Sequence, residues 1–326
     1  MNSRQRFLET MLSGKPDRVP YFEEGIRKDV LNAWRGQGLA AGADLHTMFQ
    51  TDEREEIYLD VDPHPYPSQW PAKPEELKGY ARRFDPDDRS RYPERWKKRL
   101  SEWKERSNVL MLQVHIGFFE SMGVNGWGRF RELMVQLHNS PGLIKAMLQV
   151  QGECVAEVTG RVLQQVEIDA AVFSEPIGDN NGPLISPKMY AELVMPGYRP
   201  ILDVLSQHGV KVILLRTYAN CRRLIPVLLE NGIDCLWSCE VNNEAMDYRS
   251  LRNEFGRDLR LIGGIDLDVL RMDKESIRKE VEEKVPPLVA QGGYVPLADG
   301  RVRADIPFEN YVYYRQILEK VAGGLS

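Results

Sequence analysis

The segment Val210-Lys211-Val212-Ile213-Leu214-Leu215 is followed by Arg216-Thr217-Tyr218-Ala219-Asn220 and by a helical pattern that ends at Asn231-Gly232. A second apolar run, Ile233 to Trp237, then leads to Cys239-Glu240. An apolar strand, an amphipathic helix and another apolar strand are typical of a parallel βαβ unit, because both faces of a parallel strand are buried. Ligands bind at the carboxyl ends of such strands. The polar residues predicted there are Arg216, Tyr218, Asn220 and Glu240.

The same strand-helix unit recurs along the chain. Further strands are predicted within Arg18–Phe22, Val109–Ile116, Ile168–Pro176, Leu259–Ile265 and Tyr294–Leu297, and an eighth in the region 50–110. Repeated units of this kind at 326 residues predict an α/β fold, a TIM-like (β/α)8 barrel. No linker divides the chain, so we expect one domain over residues 1–326. An N-terminal helix is predicted within 1–18, and a helical and loop excursion over the barrel mouth within 25–106.

Composition excludes several classes of protein. The formal net charge is −5, so a nucleic acid has no global electrostatic reason to bind. No signal peptide and no apolar run of roughly 20 residues are present, which predicts a cytoplasmic protein without membrane contact. The four cysteines are expected to be reduced. Cys235 and Cys239 would stand about 13 Å apart on a strand, too far to share one ion, so no metal site is predicted.

Other predicted strand ends also carry polar side chains, and each has a structural alternative. His115 lies one residue before a strand end, where a lone histidine is more often a hydrogen-bonded core residue than a catalytic group. Asp179 and Asn180 follow Glu175 in a loop whose backbone such side chains often satisfy. Glu24 follows the first predicted strand as a general acid or base, a ligand or a salt-bridge partner. The candidates after the last strand are Asp299, Arg301 and Arg303.

Several segments resemble the uroporphyrinogen decarboxylase superfamily, in the order found there. They are Arg4-Gln5-Arg6-Phe7 to Asp17-Arg18-Val19-Pro20, Gly182-Pro183-Leu184-Ile185-Ser186-Pro187, Gly263-Gly264-Ile265-Asp266, Gly292-Gly293-Tyr294 and Ile306-Pro307-Phe308-Glu309-Asn310-Tyr311. The resemblance implies a (β/α)8 barrel with the active site in a cleft at the carboxyl ends of the strands.

The resemblance also separates two chemistries. Decarboxylases of the superfamily carry an Arg-Gln-Ala-Gly-Arg clamp for substrate carboxylates, where this chain has Phe22-Glu23-Glu24-Gly25-Ile26-Arg27. The clamp is missing, which disfavours porphyrinogen decarboxylation. The second group is similar to corrinoid-dependent methyltransferases. Their thiol-activating members hold zinc with a His-x-Cys pair and a later Cys. Here Arg216-Thr217-Tyr218 stands at that pair and no Cys lies near Asp299-Gly300, so that zinc site cannot form.

A further methyltransferase-like branch usually shows Asp-Ser-Asp-Gly-Asn at the turn after the organising strand and Asp-His near the end. This chain keeps Asn220 and Asp299 but has Arg216, Tyr218, Ala219 and Gly300 where that branch has acids, glycine and histidine. An arginine in place of an acid favours an anion, because guanidinium binds carboxylate or phosphate with two parallel bonds. We therefore expect a small anionic substrate. The alternative is that Arg216 pairs with Glu240 or Asp299 and closes an inactive site.

The resulting hypothesis is a methyltransferase that moves a methyl group from a small methylated substrate to a corrinoid protein. Any cobalamin would be carried by that partner, with no tightly bound cofactor on this chain, and a homodimer is compatible with the sequence. The alternatives are a decarboxylase of a tetrapyrrole or small aromatic acid, and a non-catalytic ligand-binding relative. The predicted catalytic residues are Glu175, Tyr218, Glu240 and Asp299. The predicted substrate-binding residues are Glu24, His115, Asp179, Asn180, Arg216, Asn220, Arg301 and Arg303.

Overall fold

The computed structural model describes residues 1–239 and 244–323, and their fold alternates strands and helices. The strands are β1 Arg54–Tyr58, β2 Val109–His115, β3 Ala170–Ser174, β4 Gly178–Asp179, β5 Gly182–Pro183, β6 Ile213–Thr217, β7 Cys235–Ser238, β8 Arg260–Ile265 and β9 Tyr294–Ala298.

Helices precede, separate and follow these strands. The α-helices are α1 Ser3–Met11, α2 Lys28–Arg35, α3 Leu45–Met48, α4 Leu77–Ala81, α5 Trp96–Lys104, α6 Phe118–Ser121, α7 Trp127–Asn139, α8 Pro141–Leu163, α9 Pro187–Met189, α10 Met195–Gln207, α11 Ile225–Glu230, α12 Tyr248–Phe255, α13 Lys274–Gln291 and α14 Phe308–Ala322. Short 3-10 turns cover Pro74–Glu76, Arg89–Arg91, Arg222–Leu224, Gly256–Asp258 and Leu267–Arg271, and a π-helical turn, Tyr190–Val194, joins α9 to α10.

Seven of the strands belong to one sheet, in the order β1-β2-β3-β6-β7-β8-β9. The pairs β2–β3, β3–β6, β7–β8 and β8–β9 are parallel. The predicted α/β class with a parallel sheet is therefore confirmed. This arrangement is consistent with a TIM-like fold.

Contacts divide the chain into two compact units. Unit 1 comprises residues 1–54, 107–109 and 235–326, and unit 2 comprises 55–106 and 110–234. The single domain expected over residues 1–326 stays a prediction.

Unit 2 is built around buried strands covered by long helices. Val172 and Phe173 of β3 and Leu214 and Leu215 of β6 are almost fully buried, as expected of parallel strands between two layers. Helices α8 and α10 pack against each other through glycines. A Cβ at Gly152 would lie 1.9 Å from the carbonyl oxygen of Gly197, so only glycine allows this approach.

Unit 1 carries strands β7 to β9, with helices α13 and α14 packed together. Buried side chains on α13 recur at Ile277, Val281 and Val285, which is the spacing of one helical face. Tyr311, Tyr314 and Leu318 are buried on α14, and the helix begins after Pro307. Among the described residues, no helix combines the length and the apolar character that crossing a membrane requires.

The segment Arg18–Phe22, predicted as the first strand, is not a strand in the structure. Val19, Tyr21 and Phe22 are buried, but the Tyr21 N–H donates to the Asp52 carboxylate at 2.9 Å. The Asp52 N–H in turn donates to the Tyr21 carbonyl, and Arg6 and Arg18 bind the same carboxylate. The Asp52 carboxylate thus takes the place of the strand-to-strand hydrogen bonds that the apolar pattern of Arg18–Phe22 suggested. The strand suspected in the region 50–110 is confirmed as β1.

Candidate functional site

The sheet of unit 2 presents two chemically different faces where β2, β3 and β6 end. Ser174 pairs with Arg216, and Val172 with both Leu214 and Gln113, so these side chains share one face. We call this the polar face. Phe173 and Glu175 point to the opposite face, which we call the helix-covered face because Tyr198 of α10 lies against it.

An irregular register between Gln113 and His115 assigns the histidine to the helix-covered face. Gln113 pairs with Val172, whereas His115 pairs with Phe173, so one residue of β2 has no partner in the register. Such a β-bulge re-aims the following side chain. Without it, simple alternation would place His115 beside Gln113 on the polar face.

A bidentate ion pair lies at the centre of the polar face. Arg216 Nη1 donates to Glu56 Oε2 at 2.8 Å and Nη2 to Glu56 Oε1 at 2.9 Å, and Nη2 also donates to Gln113 Oε1 at 3.0 Å. The side chain of Glu56 is 5% exposed and that of Arg216 is 13% exposed. Burial alone would lower the pKa of Arg216, but the hydrogen bonds and charge of Glu56 raise it above its ordinary value. The guanidinium is therefore permanently charged, oriented and balanced.

Two exposed phenols flank this ion pair. Tyr58 follows Glu56 by two residues on β1, so these two side chains lie on the same face, and Tyr218 follows Arg216 by two residues, just past the end of β6. Both side chains are near enough to Arg216 to contribute to its raised pKa. Tyr58 is 55% exposed and Tyr218 is 51% exposed. The polar face thus carries two half-exposed phenol side chains near a fixed guanidinium.

Glu175 is fully buried on the helix-covered face, where three donors converge on its carboxyl. Oε2 accepts from Tyr198 OH at 2.5 Å and Tyr190 OH at 3.0 Å, and Oε1 accepts from the Phe118 N–H at 2.8 Å. Burial raises the pKa of Glu175 to about 7, although all three hydrogen bonds work in the opposite direction. Its carboxyl is therefore near half-protonation at neutral pH.

The backbone of Glu175 connects this buried carboxyl to the polar face. The Glu175 N–H donates to the Arg216 carbonyl at 2.7 Å, and Thr217 Oγ1 donates to the Glu175 carbonyl at 2.7 Å. Because its side chain is covered, Glu175 acts on the polar face by fixing the end of β6. Gly117, with φ +99°, allows the close turn alongside, since a Cβ there would lie 2.7 Å from the Ser174 carbonyl.

His115 is a neutral member of the same buried cluster. Its Nδ1 accepts the Gly117 N–H at 2.9 Å, so the proton belongs on Nε2, which lies 3.4 Å from Ser121 Oγ. Burial lowers the pKa of His115 to about 3. Its ring packs on Tyr198 at 4.2 Å between centroids. The structure therefore brings His115 and Glu175 together through Tyr198, and His115 is a hydrogen-bonded core histidine.

The predicted loop residues after β3 also come together. The Asn220 N–H donates to the Asp179 carbonyl at 2.9 Å, and Asn220 Nδ2 donates to the Asn180 carbonyl at 3.4 Å. Asp179 Oδ1 accepts the Asn181 N–H. Much of this polar cluster satisfies the backbone of the β4–β5 hairpin. Asp179 and Asn180 are exposed at its tip.

In unit 1, Asp299 follows β9 and is 7% exposed. Oδ1 accepts the Leu267 N–H at 3.0 Å. Burial raises the pKa of Asp299 to about 8 against that hydrogen bond, and the charge of Asp266 adds to the rise. Asp299 therefore holds a proton at neutral pH and can donate it.

The remaining predicted residues of unit 1 differ in their surroundings. Arg303 Nη1 donates to Asp268 Oδ1 at 2.8 Å, and Arg301 is exposed. Glu24 pairs with Arg54 at 3.0 Å, and both side chains are 16% exposed. Glu240, the fourth predicted catalytic residue, lies outside the described residues.

Sequence reasoning missed Glu56, Tyr58 and Gln113 on the polar face, and Tyr190 and Tyr198 around Glu175. Glu56 and Tyr58 alternate with the apolar Ile57 and Leu59, a period-two signal within a segment interpreted as a polar excursion. The two tyrosines stand eight residues apart on helical turns, and no local pattern indicates that both meet Glu175.

In residues 1–239 and 244–323, no group of three or more His, Cys, Asp or Glu side chains is placed to hold a metal ion.

A family model described as uroporphyrinogen decarboxylase (URO-D) matches residues 122–311, more than half of the chain. The chain belongs to the uroporphyrinogen decarboxylase superfamily. The resemblance stated from its sequence segments is thereby confirmed. The match includes β3, β6, β7, β8 and β9, and with them the strand ends that carry Glu175, Arg216, Tyr218 and Asp299. A search of the curated proteins found no match.

Membership of the uroporphyrinogen decarboxylase superfamily makes the protein a decarboxylase-like enzyme at that level. The polar face of β1, β2 and β6 lies partly outside the matched range, because Glu56, Tyr58 and Gln113 precede residue 122. The residues that distinguish this site thus come from both the matched and the unmatched parts of unit 2.

Proposed function

We propose that the protein is a methyltransferase that moves a methyl group from a small methylated compound to a corrinoid protein, with the polar face of unit 2 as its substrate site. The observation that carries the proposal is the balanced Arg216–Glu56 pair beneath two half-exposed phenols. The donors are held in place before substrate arrives, and the rim above them is open.

Methyl transfer from an oxygen or a similar atom leaves negative charge on the departing group. Donors fixed where charge develops lower the barrier, because they need no reorganisation at the moment of reaction. Arg216 is fixed by Glu56 and Gln113, and Tyr218 can give the leaving atom a hydrogen bond or its proton. The Arg216–Glu56 pair has no net charge, and its hydrogen bonds to the substrate strengthen when negative charge develops on the leaving group. Such donors stabilise the transition state more than the bound substrate.

The openness of the polar face favours a macromolecular acceptor. The corrinoid protein would take the methyl group, so it must reach the bound substrate. Tyr58 and Tyr218, each about half exposed, leave such an approach. A cofactor-free decarboxylase benefits instead from excluding water around the reacting carboxylate.

The segment at the position of the decarboxylase clamp supports the same choice. Glu23 accepts a hydrogen bond from Tyr311 and lies 3.4 Å from Arg315, and Glu24 pairs with Arg54. Glu23 and Glu24 thus interact with the nearby guanidinium groups of Arg315 and Arg54. A polycarboxylate tetrapyrrole would meet acids where the clamp has arginines.

The Arg216–Glu56 pair also bears on the charge of the substrate. Because Glu56 neutralises Arg216, a small anion receives hydrogen bonds from the guanidinium but meets no net positive charge there. The anionic substrate therefore remains part of the proposal. The proposal also includes completion of a (β/α)8 barrel, with the extended segment 19–22 in the place of the eighth strand.

The deciding experiment incubates the full chain with cob(I)alamin and a panel of methoxylated acids and neutral methyl ethers. Methylcobalamin formation, followed by absorbance, is the expected result with at least one donor. Release of CO2 from aromatic acids without methyl transfer would instead establish the decarboxylase. The acidic and neutral donors together determine whether the substrate is an anion.

A further inference from the structure

Unit 1 contains a cavity of about 320 Å³ between the segment 23–51 and the start of α14. Its apolar walls include Ile26, Leu31, Leu45 and Phe49. A volume near 300 Å³ is the lower end of the range for small-molecule sites, which are mostly apolar with a few convergent polar groups. The cavity therefore suits a ligand with one ring or a short branched body.

A carboxylate forms the polar end of the cavity. Glu23 Oε2 accepts from Tyr311 OH and lies 3.4 Å from Arg315 Nη1, and Oε1 accepts the Glu24 N–H at 3.0 Å. A carboxylate oxygen can accept two hydrogen bonds. Within the described part of the chain, Oε1 receives that single N–H. One acceptor position of Glu23 is thus left for a ligand.

The Arg315 guanidinium next to Glu23 is buried, whereas the Glu23 side chain is partly exposed. The side chain of Arg315 is 2% exposed and that of Glu23 is 18% exposed. Arg315 also donates to the Gln50 carbonyl, lies 3.4 Å from Tyr311 OH and packs over the Phe49 ring. Arg315 therefore orients Glu23 from behind, and the negative group faces the cavity.

The outer end of the cavity is also polar. His46 Nδ1 lies 3.1 Å from Thr51 Oγ1, and Asp44 caps α3 through the His46 N–H. Asp44 and His46 are exposed, so ligands can enter there. With two acids against one guanidinium, and His46 counted as neutral, the lining carries one net negative charge.

From this charge, shape and free acceptor position we infer that unit 1 binds a small primary amine with an apolar or aromatic body. The ammonium group donates to Glu23, and the body lies against Ile26, Leu31 and Phe49. This site is separate from the polar face of unit 2, and the inference does not rest on the proposed methyl transfer.

Calorimetric titration of the full chain with benzylamine tests the inference. Benzyl alcohol and benzoate share the ring and differ in charge, so they report what Glu23 contributes. Benzylamine is expected to bind at least tenfold more tightly than benzyl alcohol, with no measurable binding of benzoate, because hydrogen bonds between charged groups are the strong ones. Equal binding of all three, tighter binding of benzoate, or no binding of benzylamine at about ten millimolar would each overturn the inference.

Three variants locate the site. Glu23→Gln keeps the shape and removes the charge, so benzylamine affinity should fall at least tenfold. Glu24→Gln is the matched control, because that neighbouring acid pairs with Arg54 and does not line the cavity. Ala43→Trp fills the cavity and should abolish binding while the thermal unfolding temperature stays within a few degrees. Affinity unchanged in both Glu23→Gln and Ala43→Trp would contradict the assignment.

Discussion

Arg216 and Glu56 form two parallel hydrogen bonds, of 2.8 and 2.9 Å, that join β6 to β1 on the polar face of unit 2. The two residues stand far apart in the chain, and both side chains are largely buried. A buried pair need not be more stabilising than apolar residues of the same shape, but removal of one partner leaves an uncompensated charge. The Arg216–Glu56 contact therefore contributes both to the stability of the fold and to the geometry of the proposed substrate site.

Arg216→Gln is expected to lower the free energy of unfolding by about 3 kcal/mol, because Glu56 is left buried and charged. The double variant Arg216→Gln with Glu56→Gln should recover more than half of that loss. Urea denaturation of the two single variants and the double variant gives the coupling energy. Additive losses would show that the two side chains do not interact in solution.

The regular elements follow from local patterns, which is why the strands and the capped helices were predictable. Apolar runs identified β2, β3 and β6, and the N-cap Ser186, which accepts the Met189 N–H, stands directly before Pro187, a pair typical of a helix start. The segment Arg18–Phe22 has the same apolar character but is held by Asp52 instead of a neighbouring strand. The backbone and the side chain of Asp52 both bind this segment at Tyr21, and periodicity carries no information about such contacts.

The candidate site was predictable only in part. The expected strand-end residues Arg216 and Tyr218 lie on the polar face, but Glu175 and His115 point to the opposite face. A bulge of one residue in β2 decides the direction of His115, and no turn signal in its sequence indicates a bulge. Glu240 and Asp299 were the expected partners of Arg216; Glu240 lies outside the described residues, and the bidentate partner that the described residues provide is Glu56, because pairing across strands depends on register.

The raised pKa of Glu175 predicts that stability falls as pH increases. The folded protein keeps this proton up to about pH 7, while the unfolded chain releases it near the ordinary value of 4.5. The proton-linked stabilisation is therefore complete below about pH 4.5 and is lost as pH rises to about 7, a loss of about 3 kcal/mol. Glu175→Gln, which resembles the protonated acid, should lack this part of the decline.

Urea denaturation of the wild type and Glu175→Gln at half-unit steps from pH 5 to 8 measures the difference. Asp299 titrates in an overlapping window with the same sign, so the wild type and the variant share its contribution. The two stability curves should converge near pH 5 and separate toward pH 7. Parallel curves would mean that Glu175 ionises normally in the folded protein.

Gly117→Ala is expected to destabilise the protein by about 2 kcal/mol or more. Its φ of +99° disfavours any side chain, and the added Cβ would lie 2.7 Å from both Pro176 Cδ and the Ser174 carbonyl. Gly128→Ala is the matched control, because it lies in α7 with nothing within 4 Å of the added Cβ. There alanine should be neutral or stabilise by up to about 1 kcal/mol. Thermal unfolding of both variants provides the comparison, and equal effects would contradict the strained turn.

Tyr218→Phe tests whether the polar face carries out the chemistry. Tyr218 is half exposed and lies near Arg216, so loss of its hydroxyl should leave the fold intact. If it donates to the leaving group, kcat for methyl transfer should fall roughly 10²-fold with little change in KM, because the interaction is made in the transition state. Tyr66→Phe is the control, since Tyr66 is also 51% exposed but belongs to the segment before α4. A donor that leaves as a weak base, such as a nitrophenolate, needs no proton and should lose far less activity in Tyr218→Phe. Equal losses with strongly and weakly basic leaving groups would show that Tyr218 does not donate a proton to the leaving group.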